Sequence, residues 1–402
     1  MIPVVLLGGL NIVRALGLAK IPVIVASCEG RKPSMASRYC AATLELPPLE
    51  ERDALVEALA RAGRRLAEEH GVPVPLFYDN DDRLALVQDH RASLERHFAL
   101  LLNEPSLGQA LLDKSLFQAL AERCALPVPR RLDWDALDEE RAPVLVKPKM
   151  RTGWEHSSVN QRLFGGAGKA RIFASGREAR ADPLVRQLAD VLCFQEYVPG
   201  GDEAIWSFHG FAAPGGEVLE WFVGRKIRTF PALTGDSSYL RLARDEDIAA
   251  LGRDIAARLR LAGIFKMDFK RSATTGRFHL LEINTRFNLW HYLGARSGVN
   301  LPRVAYDYLV RGERPLHAEA SLAFRWLCLR HDWRAYRDAR ARNELSLAAW
   351  LASLIPGRKV YDLFAWTDPL PFLHYCMARL KRLPRRLTRL TLRFSRWLST
   401  AS

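Results

Sequence analysis

The chain has 402 residues, 49% hydrophobic and 26% charged, with a formal net charge of +14. That length exceeds one ordinary core and predicts two or three domains, and the composition is globular rather than disordered or fibrous. No apolar run reaches the ~18–20 residues of a membrane-spanning helix, and the cysteines (Cys28, Cys40, Cys124, Cys193, Cys328, Cys376) are scattered without a C-x-x-C pair, which argues against zinc and a disulfide framework and fits a reducing cytoplasm.

The opening "MIPVVLLGGLNIVRALGLAKIPVIVAS" has no basic residue ahead of its apolar run, so it reads as folded chain rather than as a signal peptide. Residues 3–7 predict a short buried strand, Gly8-Gly9 a turn, 11–20 a helix and 21–27 a second strand: a βαβ unit with a parallel pair. The glycine pair is not a G-x-G-x-x-G fingerprint, so no nicotinamide cofactor is expected. A helix is expected at about 51–70, and "VPVPLFYDNDD" gives a strand ending at Asp79–Asp82. Ligands in open α/β sheets gather beyond the carboxyl ends of strands. Gly8, Gly9 and Asp79–Asp82 are therefore candidate pocket edges, although a turn or a helix cap is the commoner fate of such residues.

A second unit begins near residue 105. "DKSLFQALAERCALPVP" predicts an amphipathic helix with Leu116, Leu120 and Cys124 four apart. "PVLVKPK" (143–149) is an apolar strand that emerges at Lys147, where a lysine reaches phosphate oxygens or simply snorkels at the surface. Residues 151–169 carry Gly153, Gly165, Gly166 and Gly168 without hydrophobic period and read as mobile loop. "VLCFQEYVPGGDEAIWSFHGF" is a strand, a Pro-Gly-Gly turn and a strand, and "GEVLEWFVGRKIRTFP" continues an antiparallel meander. A helix at 245–261 leads to the hairpin "GIFKMDFKRSATTGRFHLLEINTRF".

Side chains alternate faces along a strand. Phe265, Met267 and Phe269 then share an apolar face, with Lys266, Asp268 and Lys270 opposite. Likewise Glu282, Asn284 and Arg286 point one way, and Leu281, Ile283, Thr285 and Phe287 the other, into a core. Pairing the two strands sets Asp268 beside Glu282 and Asn284, hard oxygen ligands suited to Mg²⁺ or Mn²⁺. The alternative is a surface charge ladder neutralised by the nearby lysines.

The order Asp113-Lys114, "VLVKPK", "FQEYVPGGDEAIWSF", "FKMDFK" and "LLEINTRFN" resembles the ATP-grasp superfamily, and within it the carbamoyl-phosphate-synthase-like carboxylate–amine ligases. The resemblance covers roughly residues 1–318. It implies an α/β (α+β) chain: a Rossmann-like parallel domain at 1–104, an ATP-grasp domain at 105–318 and a basic, largely helical extension at 319–402. It further implies an ATP- and Mg²⁺-dependent (or Mn²⁺-dependent) ligase that activates a small-molecule carboxylate as acyl phosphate and joins it to an amine. Lys114 and Lys147 would hold phosphates, and Glu196, Tyr197 and Val198 would touch adenine. Glu203 would face the ribose or the pocket rim. Asp268, Glu282 and Asn284 would bind metal, and Arg286 would stabilise the transferring phosphoryl group. Lys226 and Arg228 are further candidates for phosphate or substrate carboxylate, or else solvated strand residues, and Lys169 or Arg171 would reach in from the loop region. Two departures from the family pattern are the short "LLGGLNIVRALG" turn and bulky Trp154 and His156 after Lys147. Rival readings are a kinase-like or carboxylating enzyme of the same fold, and a membrane-associated nucleotide-binding protein without turnover.

Residues 319–402 hold 16 Lys/Arg against 6 Asp/Glu, so most of the positive charge belongs to the C-terminal part. Arg379, Lys381, Arg382, Arg385, Arg386, Arg389, Arg393 and Arg396 run without an acid, and Leu383, Leu387, Leu390, Phe394 and Leu398 recur at three and four. As a helix this would be docked on the protein with its basic residues in solvent, or would lie on an anionic membrane, placing a cytoplasmic protein at the inner face. Nucleic acid is the least favoured partner, and a homodimer is the base-rate expectation for assembly.

Overall fold

The computed structural model describes residues 1–149, 158–165 and 168–381. Among the described residues the strands form three sheets. The first comprises β1 (Val4–Leu7), β2 (Val23–Ser27), β3 (Cys40–Glu45), β4 (Val74–Tyr78) and β5 (Phe98–Ala99), all parallel in the order β3-β2-β1-β4-β5. The expected βαβ unit is present, with helix Leu10–Leu18 crossing between β1 and β2. β1 is central and buried on both faces, which is why its sequence runs apolar without alternation. Helix Arg52–His70 buries Leu55, Leu59 and Leu66 and stops at Gly71, whose φ of +73° suits only a residue without a Cβ cost.

The second sheet is antiparallel, β6 (Arg131–Leu132), β7 (Val144–Pro148), β8 (Arg171–Phe173) and β9 (Leu192–Glu196) in the order β6-β9-β7-β8. The third is built from β10 (Ile205–Ala212), β11 (Val218–Phe230), β12 (Asp236–Ala243), β13 (Gly263–Arg271), β14 (Phe278–Asn284), β15 (Phe324–Leu327) and β16 (Arg358–Tyr361), in the order β14-β13-β10-β11-β12-β15-β16. Its apolar face carries Phe265, Met267, Phe269 and Ile283 against helix Glu246–Leu259.

Four local expectations shift. Helix Lys114–Arg123 buries Phe117 and Ala121 with Gln118, whereas Leu116 is 46% exposed; the apolar stripe lies one residue further round the helix than the fours spacing suggested. Leu280, not Leu281, enters the core: the register slips between Asp268 and Phe269, so Phe269 pairs with Leu280 while Asp268 still pairs with Glu282, and Leu281 is the extra residue of a β-bulge. Beyond residue 318 the chain is not only helical. Residues 324–361 supply β15 and β16, extending the third sheet. The segment 151–169, expected as loop, forms a helix over Ser158–Phe164 in its described part; the rest of it falls partly, and the basic run from Arg382 onward wholly, outside the described residues, with Gly153, Trp154, His156 and Gly166 among those so placed.

The C-terminal part is fastened by two buried carboxylates. Asp332 accepts both arms of Arg228 (Nε 2.8 Å, Nη2 2.8 Å), the Trp350 indole N–H (2.8 Å) and the Ser238 hydroxyl (3.1 Å). Asp368 accepts Arg14 Nε (2.9 Å), the Ser37 hydroxyl (2.8 Å) and the Arg38 backbone N–H (2.9 Å). The second clasp ties the first helix of the chain to residues near its other end.

Candidate active site

Three adjacent strands bring the polar cluster together. In the antiparallel ladder Ser207 lies opposite Asp268, and Asp268 opposite Glu282, while Lys266 lies opposite Asn284. Directly opposed residues share a face. Ser207, Lys266, Asp268, Glu282 and Asn284 therefore form one polar surface on the side of the sheet away from helix Glu246–Leu259. The Ser207 hydroxyl donates to Asp268 Oδ1 at 2.5 Å, and Lys266 Nζ sits 2.7 Å and Lys226 Nζ 3.8 Å from Asp268 Oδ2. The Asn284 amide N–H donates to Glu282 Oε1 at 2.9 Å.

Lys114 approaches from another direction. Asp113 caps its helix by accepting the Ser115 and Leu116 N–H groups, and the Lys114 backbone N–H donates to Lys149 O at the end of β7. These bonds place Lys114 Nζ 3.4 Å from Glu282 Oε2. Burial pushes the Glu282 carboxyl up, but Lys114, Lys266 and Lys169 outweigh it and hold the group well below the usual carboxylate range. Lys147 belongs to the same electrostatic neighbourhood: burial, with help from Lys114, pushes its ammonium down to about 8, against the opposing pull of Cys193 and Glu282. Lys169 is ion-paired with Asp236.

Arg286 follows β14 and reaches the first domain. Its Nε is 2.5 Å and its Nη2 3.2 Å from the Asp81 carboxylate, its Nη1 3.4 Å from Asp79 O, and its Nη2 3.4 Å from Asn284 Oδ1. Burial works against its charge, but Asp81, Glu282 and Asp79 more than compensate, so the guanidinium stays charged. The carboxyl end of β4 thus does edge the site. Asp79 also accepts the Gly9 N–H at 2.6 Å, which draws the β1 turn alongside.

The expected nucleotide-ring segment lies at the end of β9. The Glu196 and Tyr197 N–H groups donate to Arg130 O and Pro143 O, which fixes the strand's exit, and Val198 is buried. Glu203 accepts Arg225 through its carbonyl. Lys270, which sequence reasoning left out of the site, joins these pieces. Its ammonium lies 4.3 Å above the Tyr197 ring and 3.2 Å from the Tyr197 hydroxyl, and burial pushes it down to about 8 against the pull of Asp202 and Glu203.

Arg228 is not brought into this cluster. Counting by two from Lys226 puts both on one face, but β11 bulges between them: Lys226 lies opposite Leu240 and Arg228 opposite Tyr239. Leu240 and Tyr239 are consecutive and face opposite sides, so Lys226 points to Asp268 while Arg228 lies 5.1 Å over the Tyr239 ring and grips Asp332. Arg171 is likewise engaged elsewhere, 2.8 Å from Asp182.

Also missed were Ser207 and two buried histidines beside the polar face. His209 stacks on Phe222 at 4.6 Å and lies 4.9 Å from Trp290 and 6.0 Å from His291. Burial drives both imidazoles down, with nearby Lys266 adding to it, His291 to about 3. Both are neutral near pH 7 and add no charge. The signal was available: Ser207 and His209 alternate with large apolar residues in "IWSFHGF".

Among the described residues no group of three or more His, Cys, Asp or Glu side chains could hold a metal ion. The candidate set is leaner, two carboxylates on neighbouring strands and an amide oxygen. Its chemistry still fits a hard cation, since Glu282 is held ionised and Asp268 lies directly across the ladder from it.

No family model matches the chain. The D-aspartate ligase of Enterococcus faecium (strain Aus0004) is 22% identical over 275 residues, 64% of each chain, so this chain spans just under two thirds of that relative's length. Among solved structures, the N5-carboxyaminoimidazole synthetase of Staphylococcus aureus matches 79% of each chain at 11% identity and TM-score 0.58. The biotin carboxylase of Campylobacter jejuni, in complex with a β,γ-ATP ligand, matches 81% of this chain and 74% of its own at 13% identity and TM-score 0.57. The L-amino acid ligase of Bacillus licheniformis matches 77% and 73% at 13% identity and TM-score 0.53. A parallel α/β domain leading into two largely antiparallel sheets is shared across this length with such proteins, and the chain has their fold, the ATP-grasp fold expected from its sequence.

Proposed function

We propose that the protein is an ATP- and Mg²⁺-dependent ligase that activates a carboxylate as acyl phosphate and joins it to an amine, releasing ADP and phosphate. The observation that carries this reading is the convergence of Lys114, Lys147, Lys226, Lys266 and Arg286 around the paired carboxylates Asp268 and Glu282. Transfer of a γ-phosphoryl group to a carboxylate sets like charges against each other, so the site must hold fixed positive charge where that charge builds up. Lys114 and Lys147 would bind the phosphates, Lys226 and Lys266 would add positive field beside Asp268, and Arg286, oriented by Asp81, would stabilise the phosphoryl group in transit. Asp268, Glu282 and Asn284 would hold the divalent cation, which when bound neutralises the terminal phosphates. Glu196, Tyr197, Val198, Glu203 and Lys270 would receive the nucleoside end. Arg228 is better read as a structural clasp than as a catalytic group.

The names of two proteins similar to this chain, a D-aspartate ligase and an L-amino acid ligase, make amino acids the first substrates to test. The biotin carboxylases among the structural neighbours, one of them solved with bicarbonate, make bicarbonate the necessary control acid. The test is ADP release with Mg²⁺, screened over paired acids and amines and with each component omitted. Release that needs both an acid and an amine, with an amide recovered by mass spectrometry, is the expected result. Release supported by bicarbonate alone would favour the carboxylating reading, and no nucleotide turnover with any pair would defeat the ligase.

A further inference from the structure

Helix Leu370–Lys381 is docked by one side only. Pro371 is buried and His374 and Tyr375 are partly covered, with the Tyr375 hydroxyl accepting Arg330 at 2.9 Å. The opposite side carries Leu370 (54% exposed), Leu373 (49%), Met377 (56%) and Leu380 (65%). Spacings of three, four and three put these four on one face. Trp366, in the turn just before the helix, is 89% exposed, its ring 4.8 Å from Phe364, whose ring lies 5.7 Å from Phe372. The helix cannot roll to hide the stripe, because the buried Asp368 just before it is gripped by Arg14, Ser37 and Arg38.

The partner is indicated by charge. From Arg379 to the last residue the sequence holds eight arginines and lysines and no acid. We infer that this face docks on an anionic lipid surface, the stripe entering the headgroup boundary while the basic residues meet lipid phosphates. The two features reinforce each other there: apolar side chains gain by leaving water, and each basic residue near an anionic leaflet adds attraction. An exposed tryptophan just before the helix suits that boundary. A second copy of the chain would bring two strongly cationic segments together, and nucleic acid would leave the apolar stripe without a match. Among the described residues no helix is long and apolar enough to cross a membrane.

The experiment uses the full chain and is independent of the ligase reading. Co-sedimentation is measured with vesicles of phosphatidylcholine containing phosphatidylglycerol, and with phosphatidylcholine alone, at low and high salt. Expected are binding to the anionic vesicles, weaker binding to neutral ones and a decline with salt. The combined variant Leu373→Ser/Met377→Ser, altered only at exposed positions, is expected to lose roughly tenfold in vesicle affinity and to keep its melting temperature; Trp366→Ser is a second, milder probe. No sedimentation with anionic vesicles overturns the inference. So does binding that the apolar substitutions leave unchanged, since the basic residues alone would then suffice. A dimer seen by light scattering and dissolved by the same variant, or an oligonucleotide bound in place of vesicles, overturns it as well.

Discussion

The C-terminal clasps and the candidate active site treat charge in opposite ways. At the clasps each carboxylate, wholly shielded from solvent, meets one arginine and enough further donors to occupy its oxygens. At the site two carboxylates face four lysines drawn from separate elements, and two of the contacts are long: 3.4 Å from Lys114 to Glu282 and 3.8 Å from Lys226 to Asp268. A closed pair holds a fold together and has nothing left for a ligand. A loose cationic surplus contributes little to stability but creates a field for a polyphosphate.

The largest effect should come from breaking a clasp. Arg228→Ala leaves Asp332 as a buried, uncompensated charge and is expected to cost about 3–5 kcal/mol in denaturant unfolding, with turnover per folded molecule little changed. Replacing both partners with apolar residues, Arg228→Met/Asp332→Leu, should recover most of that loss. If Arg228→Ala instead cut turnover at full stability, the line between clasp and site would have to be redrawn.

Next come the site substitutions. Arg286→Ala and Glu282→Gln should each lower kcat by ~10²-fold or more, equivalent to roughly 2.7 kcal/mol of transition-state stabilisation. Near-normal ADP release in Arg286→Ala would remove it from the chemistry.

A smaller effect follows from Lys147, pushed down to about 8. Only its ammonium form attracts phosphate, and that form prevails below this value. The kcat/KM for ATP should therefore fall as pH rises through about 8, approaching tenfold per pH unit beyond it. Lys147→Arg, which stays charged, should flatten that limb; a limb that persists points to Lys270 instead.

The smallest effect sharpens the comparison from the solvent side. Arg342 and Glu344 pair at 2.8 Å, but their side chains are 46% and 57% exposed. Arg342→Ala should cost no more than about 1 kcal/mol. A loss comparable to that of Arg228→Ala would show that burial is not what separates the two kinds of pair.

Much of the fold and the centre of the candidate site could be read from alternation and periodicity. The β13–β14 hairpin, and the placing of Asp268 against Glu282, needed only the pleat and a turn. Reading failed where one residue breaks the period of two. The bulge at Leu281 sent Leu280 to the core, and the bulge after Lys226 turned Arg228 away from the site, because nothing in the side chains of "LLE" or "KIR" announces an extra residue. β15 and β16 escaped notice because strands of four residues have no measurable period, and they are held mainly by neighbours far away in sequence. Arg286's partner Asp81 lay within a stretch already singled out, but the join itself spans 205 residues and only tertiary structure makes it.

The Arg14–Asp368 clasp has a consequence for synthesis. Its partners are 354 residues apart, so at about 5–20 residues per second the helix bearing Arg14 leaves the ribosome some tens of seconds before its counter-ion exists. Throughout that interval a guanidinium destined for complete burial lacks this counter-ion, and the helix that bears it cannot reach its final packing until Asp368 has been made.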